Sequence, residues 1–189
     1  MRLLKQITNR LNALKRDESG ATMVEFMFVL PLIAFWFAGT FTFFDAYSTW
    51  TRSVKATYTV ADILSRQTEV DDEYISDMNT LFASIMGTDS SETYMRISNI
   101  NRTEDGLEID WSVGTGTYPE LTRNQDIPDE IFPNLQIGES TILIESHIPF
   151  VPFQEYIGIE ARLLVKKLVM NPRFTSKLAN SDHPSGESS

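Results

Sequence analysis

Between Phe26 and Phe44 runs a stretch of nineteen residues without a formal charge, FMFVLPLIAFWFAGTFTFF. As a helix rising ~1.5 Å per residue it is about 28 Å long, close to the roughly 30 Å hydrocarbon thickness of a bilayer. It reads as a single transmembrane helix. A buried core helix would show a polar stripe, and this run shows none. A cleavable secretory signal has an apolar region of roughly 7–15 residues ending in a small-x-small site. Here the run is longer, and its far end, Ala38-Gly39-Thr40, matches such a site poorly.

Charge is distributed to suit a membrane. Residues 1–20 hold Arg2, Lys5, Arg10, Lys15 and Arg16 against Asp17 and Glu18, a net +3. The whole chain carries −10, so everything after residue 20 carries −13. Leu3, Leu4, Ile7, Leu11 and Leu14 recur at helical spacing, which fits a short basic amphipathic helix at a membrane surface or a solvated leader. The positive-inside bias places the N-terminus in the cytoplasm and the acidic bulk outside. An acidic surface does not suit nucleic acid, which needs clustered Lys and Arg. With no cysteine there is no disulfide, thiolate zinc site or cysteine nucleophile. Two histidines, His147 and His183, leave little for metal or triad chemistry. With no nucleophile elbow, phosphate loop or zinc motif, the chain reads as a non-enzyme without a cofactor or metal.

Glu25 abuts the apolar run, where a deep membrane charge costs roughly 2.5–3.5 kcal/mol on insertion scales. Marking the cytoplasmic boundary is one role for it. Cleavage after Gly20 gives it another. Ala21 would then carry a free α-amine, and Glu25 would lie in the first turn of the new helix. A carboxylate there gains typically 0.3–1 kcal/mol from the helix dipole. It is also in reach of an ammonium on its own or a neighbouring chain.

Arg16-Asp17-Glu18-Ser19-Gly20 followed by Ala21-Thr22-Met23-Val24-Glu25-Phe26 resembles a type IV prepilin processing site. The stretch from Gly20 to Leu32, with Pro31 soon after Glu25, is similar to TadE/TadF-like pseudopilins of the Flp/Tad pilus branch. The likeness is specific over 16–47 and looser over 52–68 and 140–173. It departs from the common patterns at Ala21, where type IVa pilins carry Phe, and at Phe26, where major Flp pilins carry Tyr. The chain is also much longer than those major subunits, which favours a minor pseudopilin. The resemblance implies inner-membrane insertion with a periplasmic C-terminal domain, and cleavage after Gly20 by an aspartyl prepilin peptidase. It implies partnership with other pseudopilins, the major Flp pilin and the Tad assembly platform, and a place in Flp adhesion pili. Gly20 would give the peptidase access and Glu25 would support recognition and pairing. The helix carrying Phe26, Pro31, Trp36, Gly39 and Phe44 would pack in membrane and filament.

Pro31 removes the hydrogen bond to the Met27 carbonyl, so a bend or opening is expected there, either as a harmless kink or as a point that melts on extraction from the bilayer. Residues 48–68 place Trp50, Val54, Tyr58, Ala61 and Leu64 on one face, an amphipathic helix expected to continue the membrane helix. Residues 72–86 repeat the pattern with Ile75, Met78, Leu81, Phe82 and Ile85, and Gly87 is a stop signal. Leu107, Ile109, Trp111 and Val113 alternate with polar residues as a half-buried strand, with 93–100 as its hairpin partner through Thr103–Gly106. Thr141–Ile148 and Ile159–Val169 read as further strands, and 114–139 as a long loop. The expectation is α+β: a long first helix, a second helix, and a small antiparallel sheet, an order that also suits a pilin. Its parts would be a cytoplasmic leader (1–20), a transmembrane helix (21–47), a periplasmic domain (48–174) and a disordered tail (175–189). His183 would be inert in that tail, and His147 a satisfied surface or edge residue. The acidic groups at 69–73 and 126–130 lack the alternating spacing of a calcium loop and read as helix caps and solvated faces. An uncleaved membrane-anchored periplasmic scaffold, and a soluble domain released by signal peptidase, are the rival readings.

Overall fold

The computed structural model describes residues 19–152 and 161–184. Residues 1–18, and with them nearly all of the basic leader, lie outside this range. So do 153–160 and 185–189. The fold is α+β. Helix α1 (Ser19–Ser65) leads through strand β1 (Glu69–Val70) to helix α2 (Asp72–Met86). Strands β2 (Tyr94–Arg102), β3 (Leu107–Gly114), β4 (Ser140–Phe150) and β5 (Arg162–Met170) form an antiparallel sheet in the order β3-β2-β4-β5. Strand β6 (Ala179–Asn180) closes the described chain.

Helix α2 has both boundaries written in sequence. The Asp71 carboxylate accepts from the Tyr74 N–H at 2.7 Å, capping orphan amides. Gly87 ends the helix at φ 74°, where its missing Cβ avoids the left-handed penalty, and its N–H reaches the Ser84 carbonyl at 3.2 Å. Replacing Asp71 with Ala should lower the unfolding free energy by about 1 kcal/mol. Urea titration of the two proteins checks it, and equal midpoints would remove the cap's role. Ile75, Met78 and Phe82 are buried as expected, whereas Ile85 is exposed.

Helix α1 stops at Ser65, three residues before the expected end, and its core face differs from the one its large side chains suggest. Trp50 and Tyr58 point outward, 39% and 48% exposed. The buried face is Ser53, Ala56, Thr57, Val60, Ala61 and Leu64. Small residues win because they let the helix axis approach the sheet. The Thr57 hydroxyl then meets the Ser146 hydroxyl of β4 at 2.8 Å. Val60, Leu64, Ile75 and Phe82 pack with Met95, Ile97, Ile142 and Ile144 in the main core. Full burial of each such side chain contributes about 1.5–3 kcal/mol.

The hairpin forms through the expected turn, with Thr103 N–H donating to the Gly106 carbonyl at 2.8 Å. A bulge divides what reads as one apolar face of β3. Asn99 lies opposite Trp111, but Ile100 lies opposite Ile109, so Asp110 is the extra residue. Trp111 and Val113 therefore join the main core, while Leu107 and Ile109 join a second cluster with Ile100, Leu121 and Leu143 on the other side of the sheet. The 115–139 connection, which includes two short 3₁₀ turns, supplies Leu121, Ile127 and Phe132 to that cluster.

The expectation of a disordered tail from residue 175 is overturned over 175–184. Strand β6 pairs in parallel with β1, Glu69 opposite Ala179 and Val70 opposite Asn180. Leu178 is fully buried and its carbonyl accepts from the Trp111 indole N–H at 2.8 Å. Lys177 Nζ lies 2.5 Å from Asp110 Oδ1. A buried leucine, the indole bond to its carbonyl, strand pairing with β1 and the Lys177–Asp110 pair together order a segment of otherwise polar composition. His183 is likewise not solitary: its Nε2 is 3.2 Å from Asp72 Oδ2.

Candidate processing site and membrane helix

Gly20, Ala21, Glu25 and Phe26 all lie on α1, within its first two turns. The Gly20–Ala21 bond is in the first turn. Glu25 stands six residues after Ser19 on this helix, and five after Gly20. All four residues are exposed, and a Cβ added at Gly20 would meet nothing within 4 Å. The bond is thus open to solvent.

The apolar run follows on the same helix, its large side chains standing free while Thr42 is buried and Ala38 and Gly39 are half-buried. Phe26, Trp36 and Phe44 are 61%, 66% and 68% exposed, and only 6% of the most apolar window is buried. A core helix is thereby excluded. Among the described residues this is the one helix long and apolar enough to cross a membrane. Its two hydroxyls with shown partners bond within the helix: Thr40 Oγ1 donates to the Trp36 carbonyl and Thr42 Oγ1 to the Ala38 carbonyl, both at 3.0 Å. Such bonds remove most of the cost of a hydroxyl in hydrocarbon. Gly39 and Thr40 floor a shallow groove walled by Trp36 and Phe43. The helix continues unbroken through Pro31.

A second constellation escaped the sequence reading. On the sheet face away from the helices, Arg96 of β2, Glu145 of β4 and Lys167 of β5 stand side by side in register. The Glu145 side chain is wholly buried, and its Oε2 accepts from Arg96 Nε at 2.6 Å and pairs with Nη2 of the same guanidinium. Its Oε1 lies 2.9 Å from Lys167 Nζ. His147, two residues along the same face, is 4% exposed, and neither ring nitrogen has a hydrogen-bond partner among the described residues. It is a buried residue of a central strand, against the expectation of a satisfied surface or edge position. The Tyr118 ring covers it at 3.8 Å between centroids, and the Arg96 guanidinium lies 4.7 Å from the same ring. Alternation along β4 marks these residues as a solvent face; it cannot reveal that residues 115–121 fold back over them.

In the first acidic group two carboxylates act as a cap and a tether. Asp71 caps α2, while Asp72 holds Asn180 and His183. Among the described residues no three metal-ligating side chains converge. No family model, curated protein or solved structure matches this chain.

Proposed function

We propose that this chain is a TadE/TadF-like pseudopilin, anchored in the bacterial inner membrane, cut after Gly20 by a prepilin peptidase, and needed for assembly of Flp/Tad pili. The observation that carries the reading is one helix with two environments. Its first half is apolar and bare, and its second half is the core of an α+β domain. A subunit that leaves a bilayer for a filament needs such a helix, because lipid and neighbouring helices can replace one another around the bare half. The exposed Gly20–Ala21 bond and Glu25 beyond it add the processing motif.

Mass spectrometry of the protein purified from membranes, with the peptidase present and absent, tests this. The expected mature start is Ala21, and only with the peptidase. A retained leader in both samples would sink the reading in favour of an uncleaved anchored scaffold. A start near residue 40 would indicate signal peptidase.

A further inference from the structure

We propose that His147 is the trigger of an acid-released strap: its protonation drives residues 115–121 off the face of the sheet that they cover. The strap is held mainly at its ends, where Thr115 Oγ1 accepts from the Met95 N–H at 2.8 Å and Leu121 is buried in the second cluster. Thr115 N–H donates to the Met95 carbonyl at 2.8 Å, and Leu121 N–H to Ser112 Oγ at 2.8 Å. Arg96 Nη1 donates to the Pro119 carbonyl at 3.2 Å. Between these points the Tyr118 ring lies on the His147 ring. Glycines bound the fold-back. Gly116 sits at φ 64° with the Tyr94 ring where a Cβ would be, and a Cβ on Gly114 would fall 2.0 Å from the Tyr118 carbonyl oxygen. The strap is therefore tightly seated, and Gly116, in the left-handed region, is where its backbone turns.

Among the described residues, each charged group facing His147 bears on its protonation. From its own strand comes Glu145, from β2 Arg96 beside Tyr94, from β5 Lys167, and from the strap Tyr118. Two cations and one anion leave a net positive charge, which an imidazolium would raise with no acceptor for either N–H. Burial, foremost, holds the imidazole below its ordinary 6.5; Glu145 opposes this, and Arg96 and Lys167 reinforce it. With the strap closed the ring is neutral. With it open the ring meets water and titrates near its ordinary value. The open state thus binds the proton, so acidification favours opening by roughly tenfold per pH unit between the two values. Above the ordinary value the strap stays closed.

The chain has no cysteine, so Thr117→Cys, at an exposed strap position, gives a single site for a nitroxide label on the full-length protein in detergent micelles. The expected spectrum is immobilised at about pH 7.5 and gains a mobile component towards about pH 5, while far-UV circular dichroism stays constant. His147→Phe, which keeps a ring under Tyr118 and cannot titrate, should stay immobilised throughout; His147→Leu serves if that variant does not fold. Tyr118→Ala should be mobile at both pH values. An unchanged wild-type spectrum, the same transition in the His147 variants, or simultaneous loss of the dichroism signal would each overturn the proposal.

Discussion

Replacing Arg96 with Ala should cost the folded domain about 3–5 kcal/mol, because it strands a buried carboxylate. Glu145 has a fully buried side chain, and Arg96, only 10% exposed, supplies its closest contacts. Lys167 also reaches Glu145 but is 38% exposed, so Lys167→Ala should cost much less, within about 1 kcal/mol. The double replacement Arg96→Met with Glu145→Leu should recover most of the loss, since an apolar pair of similar volume avoids both desolvation penalties. Urea unfolding of the full chain, followed by circular dichroism, measures all three. An Arg96→Ala loss below about 1 kcal/mol would mean that water reaches Glu145 and the pair is not a buried one.

Glu25→Ala should abolish surface pili while leaving the protein in the membrane and its domain folded. The domain core begins near Ser53, well beyond Glu25, and Glu25 makes no ion pair among the described residues. Its loss therefore removes no fold contact and slightly eases insertion of the helix. Loss of pili in the presence of normal protein levels would locate the function of the carboxylate outside the isolated chain. Electron microscopy for pili and membrane fractionation for the protein supply the two readouts. Normal piliation would overturn a pairing role for Glu25.

Legibility followed the range of the interactions. Helix α2 was readable because Asp71 and Gly87 act on their own turns. The β2–β3 hairpin was readable because Thr103–Gly106 is a local turn. The bulge at Asp110 was not, since it exists only relative to the pairing of Asn99 and Ile100 across the hairpin. Large side chains misled on α1: Trp50 and Tyr58 carry the greatest hydrophobic signal yet lie outside, because the sheet admits Ala56 and Ala61 at close range. Arg96 and Glu145 are 49 residues apart, and no local pattern links them. Tail residue Leu178 was missed for the same reason, as its partner Trp111 lies 67 residues earlier. For the proposed processing site, the motif at Gly20–Phe26 is read from the sequence alone, and the structure adds that its residues are exposed and lie on α1.

Continuity of α1 makes it a lever. Pro31 and the first core residue, Ser53, are separated by 22 residues on one unbroken helix, about 33 Å at helical rise. A bend of ~10° at Pro31 therefore displaces the sheet by about 6 Å, with no rearrangement inside the domain. A bend there would thus turn the whole domain from one distant peptide unit, the point of the apolar helix where the ring of Pro31 removes a hydrogen bond.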